Sequence, residues 1–250
     1  MISTSLSLLQ YALLVLAGFG AGLVGYVTGM ASLVSYPALL AVGLPPVTAN
    51  VTNTVALVAS GVGSTANSAR SLGENGPQLW RWGAVSAVGG LAGALVLLWS
   101  PAGSFEVVVP YLVVLASLAL LLQPRIRKLA GGKDFPILYL VGMGAVAVYG
   151  GYFGAGAGVL FLALTLTCTG LSVWRSAVLK SFLLGIANLV AAVIFSLLGE
   201  VHWWAAAAMG LGALCGGWCG PPVVKVIPPN LLRIAVSIAG FGLAGWLAFG

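Results

Sequence analysis

Apolar runs of membrane-spanning length, punctuated by glycines and prolines rather than charges, make up nearly the whole chain. The first is Leu6–Thr28, and glycines at 18, 20, 22, 25 and 29 crowd its end. The next, Met30–Val42, reaches only about 20 Å as a helix, against about 30 Å of hydrocarbon. A short, broken or re-entrant helix is expected there. Gly43-Leu44-Pro45-Pro46 stops it, because two prolines cannot supply the N–H groups a continuing helix needs. The third run, Val47–Ala69, is polar for a membrane helix. Its Asn50, Asn53 and Thr54 share one helical face, which is not expected to meet lipid. After a polar loop, Arg70–Arg81, the fourth span is Leu79–Trp99, with tryptophans near both ends. Pro101–Phe105 reads as a turn and Glu106–Leu122 as the fifth span.

A basic, polar stretch opening at Gln123-Pro124-Arg125 then divides the chain. Residues 1–122 form a first transmembrane repeat, 123–135 a cytoplasmic linker, and 136–250 a second repeat. The second repeat holds spans at Pro136–Tyr152, Val173–Leu198, Trp203–Gly220 and Leu231–Phe249, with a short run at Ala155–Thr169. Pro221-Pro222 is expected to break the chain between the last two. Gly25-Tyr26 matches Gly151-Tyr152, Gly43-Leu44 matches Gly170-Leu171, and Gly89-Gly90 matches Gly216-Gly217. The fold class expected is an all-α polytopic membrane protein made of two inverted repeats of about five elements, one short or broken in each.

Composition agrees. Of the 250 residues, 60% are hydrophobic and 6% charged, whereas soluble domains carry about 25% charged residues. The net charge of +6 forms no basic stripe with interleaved aromatics, which excludes a nucleic-acid partner. No basic residue precedes the first apolar run, so no cleaved signal peptide is expected. Cys168, Cys215 and Cys219 lie in apolar runs without a metal-ligand partner and read as packing residues.

Charge also orients the chain. If the short runs do not cross, each half has four spans and the halves are parallel. If they cross, each half has five and the halves are inverted. With the linker in the cytoplasm, five elements per half put all 10 Lys and Arg residues on or near the cytoplasmic side. Glu106, Glu200 and His202 then lie outside, as do both termini. Four per half would move Arg175, Lys180, Lys225 and Arg233 outside. The five-plus-five reading fits better, in a bacterial inner membrane.

The two short helices begin at glycine-rich breaks, Gly29-Met30-Ala31-Ser32 and Gly154-Ala155-Gly156-Ala157-Gly158. A helix start offers free N–H groups and about half a positive charge, so it accepts an oxyanion without a charged side chain. The glycines alternatively serve only close packing. Lys180 sits about 10 Å into its helix, and a cation at the bilayer centre costs on the order of 3 kcal/mol. It either assists the anion or snorkels to the cytoplasmic surface. Arg175 is nearer the helix start, where it sets orientation or assists. Ser181 and Asn188 either add hydrogen bonds near Lys180 or bridge two helices. No catalytic site, metal site or cofactor is expected, and His202 reads as a solvated loop residue.

The chain resembles the TauE/SafE family of membrane transporters, also called the 4-toluene sulfonate uptake permease family. The residues carrying the likeness are Gly18–Gly25, Gly43-Leu44-Pro45-Pro46-Val47-Thr48-Ala49-Asn50, Gly151–Gly158, Gly199–Trp203 and Gly216-Gly217. Where the family's first cluster runs on as consecutive glycines, this chain reads Thr28-Gly29-Met30-Ala31-Ser32. The resemblance implies transport of small sulfur-containing anions such as sulfite, sulfonates or related organosulfur acids.

The expected function is secondary transport of such an anion by alternating access around a midplane site. That site is formed by the two breaks with Lys180 or Arg175, and the Asn50–Thr54 face lines the path. Expected partners are the anion, the lipid bilayer, a coupling proton or sodium ion and a second copy of the chain. An anion channel and a non-transporting membrane scaffold are the rival readings.

Overall fold

The structure, a computed structural model, describes residues 6–66, 76–101, 103–128, 135–224 and 229–249. Side chains at 26–28, 62–66, 76, 77, 123, 126–128, 173, 174, 220–224 and 229–233 are outside that description. So are the loop residues 67–75, linker residues 129–134, and Lys225; Arg233 is described in its backbone alone.

The described residues form ten α-helices and no strand: α1 Leu8–Thr28, α2 Ser32–Ala41, α3 Pro46–Ala66, α4 Gly76–Trp99, α5 Ser104–Lys128, α6 Pro136–Tyr152, α7 Ala157–Cys168, α8 Val173–Leu198, α9 Trp203–Val224 and α10 Pro229–Phe249. Among the described residues, four segments are long and apolar enough to cross a bilayer outright, and they lie in α1, α4, α5 and α8. Shorter apolar helices include α2, α6 and α7. The outward faces carry Leu8, Leu16, Val88, Tyr111, Ile137, Leu197 and Trp218, all more than half exposed. In water such a surface would be a penalty; in lipid it is the solvated face.

Two boundaries differ from the sequence reading. Helix α9 continues through Pro221-Pro222 to Val224, and α5 continues through Gln123–Lys128, the first part of the expected linker. Prolines remove their own N–H bonds, but neighbouring helices and local adjustments satisfy the freed groups in membrane proteins. Helix α5 accommodates Pro110 and Pro124, and α2 accommodates Pro37, in the same way. His202 also differs from a solvated loop residue. Its Nδ1 accepts the Ala205 N–H at 3.2 Å, capping α9, while its own N–H donates to Thr52 Oγ1 of α3 at 3.0 Å.

Helix packing has a two-fold pattern. Helix α1 packs on α9 and α4 on α6; α3 packs on α9 and α4 on α8. Helix α2 meets α1, α3 and α10, while α7 meets α6, α8 and α5. Exchanging each helix with the one five places along maps these pairs onto one another. The closest crossings obey the same exchange. A Cβ on Gly22 of α1 would lie 2.6 Å from Gly217 N of α9, and one on Gly151 of α6 would lie 2.9 Å from Gly90 Cα of α4. Only glycine permits backbones this close.

The packing therefore groups the helices differently from the order of the chain. One bundle centres on α1, α2, α3 and α9, with α10 at its edge against α2 and α1; the other holds α4 to α8, and α10 packs most heavily on α5 of that second bundle. The bundles meet chiefly along α3 with α8 and α5 with α10. Each bundle takes two or three helices from each sequence half.

Candidate functional site

Both breaks face each other where the bundles meet. Helix α1 ends at Gly29, whose φ of 80° is left-handed and whose N–H donates to Gly25 O at 2.8 Å. The chain then passes through Met30 and Ala31 into α2. Helix α6 ends at Tyr152, and Phe153, Gly154, Ala155 and Gly156 lead into α7. Gly154 and Gly156 have φ of 77° and 80°, a region that other residues enter at a cost. The Tyr149 hydroxyl donates to Ala155 O and ties this second break to α6.

The approach is backbone to backbone. A Cβ on Gly158 would lie 3.0 Å from Gly29 Cα and 3.1 Å from Gly29 C. Met30 packs under the second break: its Cε would lie 2.9 Å from a Cβ on Gly156. Gly158→Val must therefore push the breaks apart. Such overpacking costs about 1–3 kcal/mol, so a melting temperature lower by several degrees is expected, with loss of transport. A variant as stable and active as the parent would show that the breaks do not need this contact.

A cavity of about 390 Å³ opens beside the crossing. Its wall takes Gly25 and Gly29 from the first break, Ala31 and Ser32 from the start of α2, and Gly154 from the second break. Helix α3 contributes Leu57, Val58, Ser60 and Gly61. Helix α8 contributes Lys180, Ser181, Gly185 and Asn188, with the apolar Phe182, Leu184, Ile186 and Leu189. The start of α2 thus faces the cavity directly. Lys180 supplies the charge: it is only 7% exposed, and its Nζ would lie 3.2 Å from a Cβ on Gly29. That placement is buried against the first break rather than at the protein surface.

Of the residues expected to form the site, Gly29, Ala31, Ser32, Gly154 and Lys180 stand in the wall. Met30, Gly156, Ala157 and Gly158 lie buried behind it. Arg175 is exposed at the start of α8, outside the wall, and its N–H is capped by Ser172 Oγ at 3.4 Å. Asn50, Asn53 and Thr54 are buried and do not line this cavity. They join helices instead: Asn50 Nδ2 donates to Tyr152 O at 2.8 Å, and Asn53 Nδ2 donates to Ser32 Oγ at 3.2 Å. Thr54 Oγ1 donates to Asn50 O at 3.0 Å. Helix α3 therefore holds the end of α6 and the start of α2 at once.

The residues sequence reasoning missed include the α3 wall, Leu57, Val58, Ser60 and Gly61, together with Gly25 of α1 and Gly185 of α8. Ser60-Gly61 on a helix already known to be polar was the available clue. Ser181 and Asn188 line the same cavity as Lys180, and Ser181 Oγ donates to Ala177 O at 2.9 Å.

A second cavity of about 520 Å³ lies at the ends of α4, α6 and α7, bordered by Gln78, Arg81, Trp82, Tyr139 and Cys168. It is larger, but neither break lines it. No cluster of His, Cys, Asp or Glu suited to a metal exists among the described residues.

The model of the sulfite exporter TauE/SafE family matches residues 14–247. The chain belongs to that family. It is similar to the probable membrane transporter protein ORF9 of a Sinorhizobium species, with 26% identity, covering 91% of this chain and 90% of that protein. It is equally similar to the probable membrane transporter protein YfcA of Escherichia coli K12, at 26% identity and 92% and 86% coverage. A probable membrane transporter protein of Haemophilus influenzae is 24% identical over 95% of this chain and 97% of its own length. No solved structure matches. The chain is a multi-pass membrane protein of a transporter family.

Proposed function

We propose that the protein is a secondary transporter of a small sulfur-containing anion, sulfite or an organic sulfonate, bound in the cavity between the two breaks. The observation that carries this reading is a buried lysine placed against a glycine break whose helix start faces the same space. The ammonium and the positive end of the α2 dipole supply positive potential, while the Leu33, Val34 and Ser35 N–H groups donate to Met30 O and Ala31 O. Ser32, Ser60, Ser181 and Asn188 supply neutral polar groups. The apolar side of the cavity favours an anion with a hydrocarbon part, and its volume far exceeds what a four-atom oxyanion needs.

Alternating access follows from rocking of the two bundles along α3 and α8, with the breaks near the bilayer midplane. The repeats are inverted, the membrane is the bacterial inner membrane, and both termini face outward. Cysteine tags at either terminus should react with an impermeant reagent in intact cells; labelling only after lysis would overturn the orientation. A coupling ion, proton or sodium, accompanies the anion.

The direct test is flux in liposomes containing the purified protein alone. Saturable, gradient-dependent uptake of sulfite or a small sulfonate is expected, inhibited by the other. Absence of flux for every sulfur oxyanion and sulfonate, with a protein that remains folded, would end the proposal. Flux that never saturates would favour a pore.

A further inference from the structure

We infer that the polar face of α3 forms a second site, for a sodium ion, next to the anion cavity. Asn50 is 0% exposed and Asn53 is 1% exposed, and the side-chain oxygen of each is buried with no hydrogen-bond partner. Buried amide oxygens are ordinarily satisfied, so two on one element call for a ligand. The residues are one turn apart on α3, with Cβ atoms about 5–6 Å apart by helix geometry.

Their nitrogens are already committed. Asn50 Nδ2 is held by Tyr152 O at 2.8 Å and Asn53 Nδ2 by Ser32 Oγ at 3.2 Å. Each amide is planar, so fixing its nitrogen fixes where its oxygen stands. Two more oxygens, Tyr152 O and Ser32 Oγ, lie on the same hydrogen bonds, and each has a lone pair left.

The set is four neutral hard oxygens without carboxylate, thiolate or imidazole. Divalent cations prefer carboxylates, and transition metals prefer nitrogen or sulfur. A monovalent hard cation fits the chemistry, and sodium is the one that ion gradients commonly supply to transporters with broken helices.

Ser32 joins the two sites, because it bonds Asn53 and also lines the anion cavity. The inference deepens the transport reading, and its coupling arm rests on it. A cation on Asn50 and Asn53 raises the anion's affinity, and by linkage the anion raises the cation's.

The test is thermal unfolding of the full-length purified protein in sodium, potassium or choline chloride at equal ionic strength. Sodium should raise the melting temperature by several degrees, saturably, with potassium and choline showing no such effect. Asn53→Asp keeps the side-chain oxygen, puts a second oxygen where the amide nitrogen stood and adds a charge, so its apparent sodium affinity should rise at least threefold. Asn50→Leu and Asn53→Leu should lose the sodium effect. Because either leucine variant can fail to fold, the parent protein's salt comparison decides.

Equal melting in all three salts means that water fills the site, and the inference is overturned. Sodium stabilisation that Asn53→Asp and the folded leucine variants leave unchanged also overturns it, since the ion then sits elsewhere. Adding sulfite or a sulfonate separates the two readings. Anion stabilisation without a sodium effect removes the cation site and keeps the transport reading. The reverse keeps the site and removes the anion.

Discussion

Lys180→Met should weaken anion binding about 10- to 100-fold while leaving the protein folded. The lost interaction is a charge-assisted hydrogen bond, worth about 1.5–3 kcal/mol, and each 1.4 kcal/mol or so is tenfold in affinity. Methionine keeps the length of the stem and its packing, so the change isolates the charge. Lys180 is 7% exposed, and removing one member of a buried polar contact destabilises, because its partner is left behind. The melting temperature without anion should therefore fall by a few degrees, while the extra stabilisation by sulfite or a sulfonate disappears. Arg125→Ala, at an exposed position near the end of α5, provides the comparison and should change affinity less than twofold. Equal, small effects of the two substitutions would remove Lys180 from the site. A Lys180→Met protein that unfolds would instead mark the lysine as a structural tie.

Much of this arrangement was legible before any coordinates, because lipid simplifies the code. Helices α6 and α8 begin and end at the residues read from the hydrophobic pattern, Pro136–Tyr152 and Val173–Leu198. Both breaks were visible because glycine is costly in a helix interior unless backbone approach or a left-handed turn requires it. Gly29, Gly154 and Gly156 all have positive φ. Lys180 stood out for the same reason: a cation inside an apolar helix is rare without a function.

What stayed hidden depends on distant contacts. Nothing local in α1 says that it packs on α9 rather than on α4, since both candidate partners carry a glycine pair. Asn50 and Asn53 read as path-lining residues because their face is polar. Their actual bonds go to Tyr152 and Ser32, far along the chain or across a break. A helical period shows which side chains share a face, not what that face meets. The cavity wall at Leu57–Gly61 was missed because small and apolar residues look alike whether they line a space or fill one. The ends of α5 and α9 were placed too early because proline was weighted as in a soluble helix.

A disulfide between Gly61→Cys and Gly185→Cys should arrest transport. Gly61 lies on α3 and Gly185 on α8, the seam between the bundles, and both line the cavity. A Cβ built on Gly61 lies 4.0 Å from Gly185 Cα, and a Cβ on Gly185 points into open space. Disulfides need Cβ atoms about 3.5–4.5 Å apart, and the close approach of Gly61 to Gly185 brings the pair near that range. The three native cysteines, Cys168, Cys215 and Cys219, are all free and must first be replaced. Rocking requires the seam to open on one side as it closes on the other, and a covalent bond of about 2 Å does not stretch. Oxidation should therefore reduce flux at least tenfold, with reductant restoring it. Anion binding should survive in the locked protein, because the cavity exists in this arrangement. A fully oxidised protein that transports at the reduced rate would mean that α3 and α8 stay together through the cycle, placing the moving seam between α5 and α10.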